Sequence, residues 1–77
     1  MTKLEQFEDR TLLIVDDDEP FLGRLARAME TRGFDVMTAG SVRDGVAAAK
    51  STPPAFAVLD LRLADGSGLD IVSAIQD

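Results

Sequence analysis

Two short apolar runs end abruptly in aspartate: Thr11-Leu-Leu-Ile-Val15 leads into Asp16-Asp17-Asp18, and Phe56-Ala-Val-Leu59 leads into Asp60. Thr11 to Val15 shows no alternation of apolar and polar residues, so it reads as a central parallel strand buried on both faces. In a parallel sheet the aspartates then stand just past the carboxyl ends of buried strands, where open α/β folds bind their ligands. Carboxylates gathered at one such point repel each other unless a hard cation joins them. That constraint suggests a magnesium site with a phosphoryl-accepting aspartate.

The segments between these runs supply the helices that a parallel sheet needs. Asp18 or Glu19 is a helix cap, and Pro20 suits the first turn, where a missing N–H costs nothing. Leu22, Leu25, Ala26 and Met29 recur at helical spacing as a core stripe, and Gly33 ends the helix. A second strand is predicted over Phe34 to Ala39, with Val36 its most inward residue. Ser41 with Asp44 opens the next helix, Val42, Val46 and Ala49 give it an apolar face, and Pro53-Pro54 stops it. Phe56 to Asp60 is the third strand, its Phe56, Val58 and Leu59 belonging to the core. Leu61 to Gly68 is a loop, and Leu69, Ile71, Val72 and Ile75 begin a third helix. Met1 to Arg10 reads as a loose tail or short helix. The order β-α-β-α-β-α with short connections argues a parallel α/β layer structure. Right-handed crossovers and the ligand rule favour strand order 2-1-3, which brings Asp16, Asp17 and Asp60 together.

Composition narrows the chemistry. The 77 residues hold 14 acidic and 8 basic side chains, a net charge of -6, so no basic stripe is available to neutralise nucleic-acid phosphates. Neither cysteine nor histidine occurs, which excludes disulfides, thiolate or imidazole metal sites and histidine acid–base catalysis. No apolar stretch approaches membrane-spanning length, and the chain is expected in the cytoplasm without a membrane partner. One small domain with a thin stability margin is the most that this length allows.

A carboxylate approaching a phosphate dianion is opposed by charge, and Mg2+ bridging the two removes that repulsion and holds them in line. Magnesium takes near-octahedral oxygen ligation and keeps several waters. Asp17 and Asp60 suit direct ligation, Asp16 ligation through water, and the Arg62 carbonyl the backbone contribution.

Val15-Asp-Asp-Asp18, Val58-Leu-Asp-Leu-Arg-Leu63 and Asp65-Gly-Ser-Gly-Leu69 resemble a response-regulator receiver domain of two-component signalling, from about Arg10 onward. The runs Thr11 to Leu22 and Pro53 to Arg62 are similar to the redox-responsive global regulators of the PrrA/RegA/ActR group. The resemblance implies a flavodoxin-like sheet, Asp60 as phosphoacceptor, Asp17 as a direct magnesium ligand and Asp16 as the outer acid. It implies a sensor histidine kinase as partner and, in full-length relatives, a helix-turn-helix domain that binds DNA. Ala64 stands where the family usually has proline, a change expected to loosen the loop slightly. The family has five βα units, and this chain has residues for three. On that likeness residues 11–77 are the N-terminal part of a receiver, without the switch hydroxyl after strand four or the lysine after strand five. It would be a switch-defective phosphoacceptor rather than a conventional enzyme. It would also be prone to self-association through an exposed third-strand edge.

Blander readings stand beside these. Asp18 is a cap or surface acid, and Asp65, Asp70 and Asp77 are solvated charges. Gly66 and Gly68 are turn residues with positive φ, and neither Lys3 nor Lys50 replaces the missing lysine. Phe21, at the edge of the first helix's stripe, serves either a kinase helix or edge-of-core packing. A haloacid-dehalogenase-type phosphatase needs a second aspartate where Arg62 stands. Pro20 and the absence of the loop glycine and terminal glutamate remove an EF-hand.

Overall fold

The computed structural model describes residues 8–76. Six elements follow in strict alternation: β1 (Thr11–Val15), α1 (Glu19–Thr31), β2 (Asp35–Ala39), α2 (Val42–Ser51), β3 (Phe56–Leu59) and α3 (Gly68–Gln76). The three strands form one parallel sheet in the order β2-β1-β3. The expected fold class and strand order are both found. The predicted tail lies outside the described residues up to residue 7, but Asp9 accepts hydrogen bonds from the backbone and hydroxyl of Thr11 at the start of β1. Among the described residues no helix is long and apolar enough to cross a membrane.

β1 is the centre of the molecule. Leu12, Leu13, Ile14 and Val15 are at most 3% exposed, because strands flank both edges of β1 and helices cover both faces. Alternation along the strand divides them. Leu13 and Val15 join Ala39, Ala49, Leu63 and Ile71 in the core beneath α2 and α3. Leu12 and Ile14 point to the opposite face, where α1 packs against β1 and β2.

The ends of α1 explain a shift in the second strand. Asp18 is the N-cap and accepts from the Phe21 N–H at 3.1 Å, with Pro20 in the first turn. At the other end Gly33, at φ 98°, donates to the Glu30 carbonyl, and Phe34 donates to the Met29 carbonyl. This pair of bonds is a Schellman motif. It takes up the Phe34 N–H, so β2 begins at Asp35 rather than at Phe34. The inward residue of β2 is Ala39 rather than Val36, because Ala39 pairs with Val15 on the face that two helices cover. The predicted stripe of α1 faces inward, yet none of its residues is fully buried.

The third strand corrects the sequence reading more sharply. Phe56 and Leu59 are half-buried, while Val58 is 47% exposed and is no core residue. β3 is an edge strand, and α1 lies over β1 and β2 on the face that Val58 shares with Ile14. The Phe56 ring meets Phe34 edge-on, centroids 5.5 Å apart. Ile71, 1% exposed, joins α3 to the core. Ile71→Ala is expected to cost about 2–5 kcal/mol in urea denaturation, through lost burial and the cavity left behind. Val58→Thr is expected to change stability by no more than about 0.5 kcal/mol in the same assay.

Candidate functional site

The site grows out of the ends of β1 and β3. Val15 pairs with Leu59, so Asp16 and Asp60 each stand one residue beyond the ladder on adjacent strands. The ladder continues through the main chain, Asp60 N–H donating to the Val15 carbonyl at 2.9 Å and Asp16 N–H to the Ala39 carbonyl at 3.1 Å. Carboxylate oxygens of Asp16, Asp17 and Asp60 then lie within 4.8 Å of one another, Asp16 and Asp60 half-buried and Asp17 exposed. Two local turns aim the outer pair. Asp16 Oδ1 accepts from the Asp18 N–H at 2.9 Å, and Asp60 Oδ1 accepts from the Arg62 N–H at 3.0 Å. Each turn engages one oxygen and leaves its partner oxygen for other chemistry.

This donor set fits a hard cation. Around Mg2+, with oxygens at about 2.0–2.1 Å, opposite ligands stand about 4 Å apart, and around Ca2+ about 5 Å. Carboxylate oxygens from three residues within 4.8 Å of one another match the scale of such a shell. Arg62 follows Asp60 by two residues, on the loop that leaves the site, and its side chain is exposed. Phe21 is in the first turn of α1 and 42% exposed.

The loop from Asp60 to Gly68 is held more firmly than its sequence suggests. Gly68 N–H donates to the Asp60 carbonyl at 2.9 Å. A Cβ on Gly68 would collide with that same carbonyl oxygen and come within 2.8 Å of the Leu59 Cβ. Gly68 is therefore required by close approach, and only Gly66, at φ 148°, carries the positive φ expected of both. Leu63 and Gly66 exchange backbone hydrogen bonds across a tight turn.

Two of the acids expected to be solvated have structural partners. Asp70 Oδ2 accepts from the Ser67 N–H while Ser67 Oγ accepts from the Leu69 N–H, a reciprocal cap that opens α3. The Ser67-x-x-Asp70 spacing is visible in the sequence. Asp65 reaches α2, its two oxygens accepting from the N–H groups of Val42 at 2.8 Å and Arg43 at 3.1 Å. Nothing in local spacing announces that contact, because the partners are 22 and 23 residues away. Asp77 and Lys3 lie outside the described residues. Lys50 lines a hollow with Pro53, Pro54 and Ile75 near the C-terminal end of α2, away from the acids.

The Val42 N–H first, then that of Arg43, holds the Asp65 carboxyl below its ordinary value. A folded-state value below the unfolded one contributes stability above the unfolded value and loses it as pH falls through the folded value. Asp65→Asn is thus expected to be less stable than the native chain at about pH 7, with the gap closing below about pH 4. Urea midpoints measured across that range check this.

Comparison with known proteins agrees with this geometry. The family model described as "Response regulator receiver domain" matches residues 12–77. The photosynthetic apparatus regulatory protein RegA of Cereibacter sphaeroides is 62% identical over 69 residues, 90% of this chain and 38% of that protein. The acid tolerance regulatory protein ActR of Rhizobium meliloti is 65% identical over 68 residues, 88% of this chain and 35% of that protein. The chain thus spans little more than a third of these relatives. A response regulator from Burkholderia pseudomallei, solved with a phosphorylated aspartic acid, calcium ion and citrate, superposes with a TM-score of 0.78 at 35% identity, covering 84% of this chain and 38% of its own. A signal receiver domain from Vibrio parahaemolyticus shares the fold at a TM-score of 0.79 and 24% identity, over 88% of this chain and 52% of that one. With three parallel strands in the order 2-1-3 and an acidic cluster at their carboxyl ends, the chain belongs to the response regulator receiver family.

Proposed function

We propose that the chain is the phosphoacceptor part of a two-component response regulator, with residues 11–77 forming that part and Asp60 receiving the phosphoryl group from a phosphohistidine of a sensor histidine kinase. The convergence of Asp16, Asp17 and Asp60 at the ends of β1 and β3 carries the reading. Asp60 Oδ1 is engaged by the Arg62 N–H, which leaves Oδ2 to attack phosphorus. The new O–P bond makes an acyl phosphate as the P–N bond breaks, and the leaving imidazole nitrogen keeps the electron pair and takes a proton. Asp17, Asp60 and the Arg62 carbonyl would hold Mg2+ directly, with Asp16 as the outer acid. When bound, the cation offsets the charge of the incoming phosphoryl oxygens. The phosphorylated aspartic acid and calcium ion of the Burkholderia pseudomallei regulator support both roles.

The chain acts as a phosphoacceptor rather than as a conventional enzyme, in the cytoplasm where a kinase domain can reach it. Phe21, exposed on the first turn of α1 that Asp18 caps, suits a kinase helix. Control of transcription through DNA belongs to the longer regulators it resembles, since a net charge of -6 gives this chain no surface for phosphates. Incubation with acetyl phosphate and Mg2+ is expected to add one phosphoryl mass to the native chain and none to Asp60→Asn. An unchanged mass gain in the variant overturns the assignment.

A second activity rests on β3. Among the described residues its outer edge has no strand neighbour, and Val58 is 47% exposed beside it. Apolar strand edges pair with other chains. Self-association through β3 is expected, seen as a mass that rises with concentration in chromatography with light scattering and falls back in Val58→Lys. A concentration-independent monomer overturns it.

A further inference from the structure

Asp65 has no role in the acidic cluster, yet it makes the loop's hydrogen bonds to α2. The start of that helix has three N–H groups to satisfy. Ser41 Oγ takes the Asp44 N–H at 3.0 Å, and Asp65 takes those of Val42 and Arg43. The helix ladder itself begins with Gly45 N–H on the Ser41 carbonyl. Asp65 thus ties the β3–α3 loop to another element through a two-pronged, charge-assisted contact. The tie is close. A Cβ built on the neighbouring Gly66 would come within 3.3 Å of Val42 Cγ2.

Asp65 sits at the corner of the turn that Leu63 and Gly66 close, with Leu63 N–H donating to the Gly66 carbonyl at 2.8 Å. A peptide unit is planar and trans, so the Leu63 N–H and the Arg62 carbonyl point in opposite directions from one rigid plane. Whatever fixes the Leu63–Gly66 turn therefore fixes the direction of the Arg62 carbonyl. Leu63 anchors one side of the turn in the core, and Asp65 anchors the other side on α2.

We infer that Asp65 is a positioning residue, which orients the Arg62 carbonyl for the cation by clamping the Leu63–Gly66 turn to the N-terminus of α2. The inference rests on the cation site described under Proposed function and adds a residue outside it. Groups that support metal ligands from behind typically matter by about tenfold or more in affinity.

The test is a Mg2+ titration of the 15N-labelled chain, read at the amides of Asp16, Asp17, Asp60 and Arg62. It compares the native chain with Asp65→Ala, Asp65→Asn and Ser41→Ala. Ser41→Ala removes a cap from the same helix without touching the loop, so it controls for helix stability. The β1 amides report whether each variant is folded. Asp65→Asn keeps one acceptor oxygen and carries the comparison if the alanine variant unfolds. The expected result is an affinity about tenfold weaker in Asp65→Ala, an intermediate value in Asp65→Asn, a displaced Arg62–Leu63 amide pattern before metal is added, and native affinity in Ser41→Ala. Native affinity in a folded Asp65 variant overturns the positioning role, as does an equal loss in Ser41→Ala. A native chain whose acidic amides ignore Mg2+ overturns the cation site itself, and this role with it. The first two results leave the site standing, so the failures are distinct.

Discussion

Everything in this molecule is arranged around the burial of one strand. β1 contributes four consecutive apolar residues, each at most 3% exposed, and among the described residues no other element is buried on every side. Two facing helices, α2 and α3, meet its Leu13 and Val15, while α1 covers the face of Leu12 and Ile14. After Thr11 a strand so enclosed has no polar side chain until its last residue has passed, and three aspartates then follow at once. The change from fully apolar to fully ionic within one peptide bond is what puts charge at the rim of a dry core.

That position gives the acids their utility. Half-buried carboxylates held by backbone turns need little reorganisation to take up a cation, because their directions are set before it arrives. The loop that leaves Asp60 repeats the economy. Its main chain is fixed by Gly68, its apolar anchor is Leu63, its Asp65 carboxylate caps α2, and its Ser67 exchanges hydrogen bonds with the first turn of α3. Acidic residues therefore do two jobs in this chain: some bring charge together, and others satisfy helix ends.

The strand order and the cluster were legible because both depend on short-range signals. An unbroken apolar run means a covered strand, and an aspartate directly after it can only stand at the rim. The two strand-end signals share a frame, which is why Asp16, Asp17 and Asp60 converge. What escaped was set by tertiary context. Val58 is as apolar as its neighbours, and only its place on an edge strand exposes it. Asp65 has the composition of a solvated loop acid, and only the fold brings α2 to it. Phe34 has strong strand character, but the Schellman motif of α1 claimed its N–H first. Gly68 looked like a turn glycine because spacing cannot reveal that a carbonyl would occupy the place of its Cβ.

The edge-on contact of Phe34 with Phe56 has a use beyond packing. The chain has neither tryptophan nor tyrosine, and only four phenylalanines, so its intrinsic fluorescence is nearly silent. One ring presents its edge to the face of the other at 5.5 Å, in the geometry where ring current moves proton resonances strongly upfield. Phe34 precedes β2, and Phe56 opens β3, so their shielding exists only while both outer strands flank β1. A single displaced aromatic resonance thus serves as a built-in, label-free gauge of whether the sheet is closed across its full width.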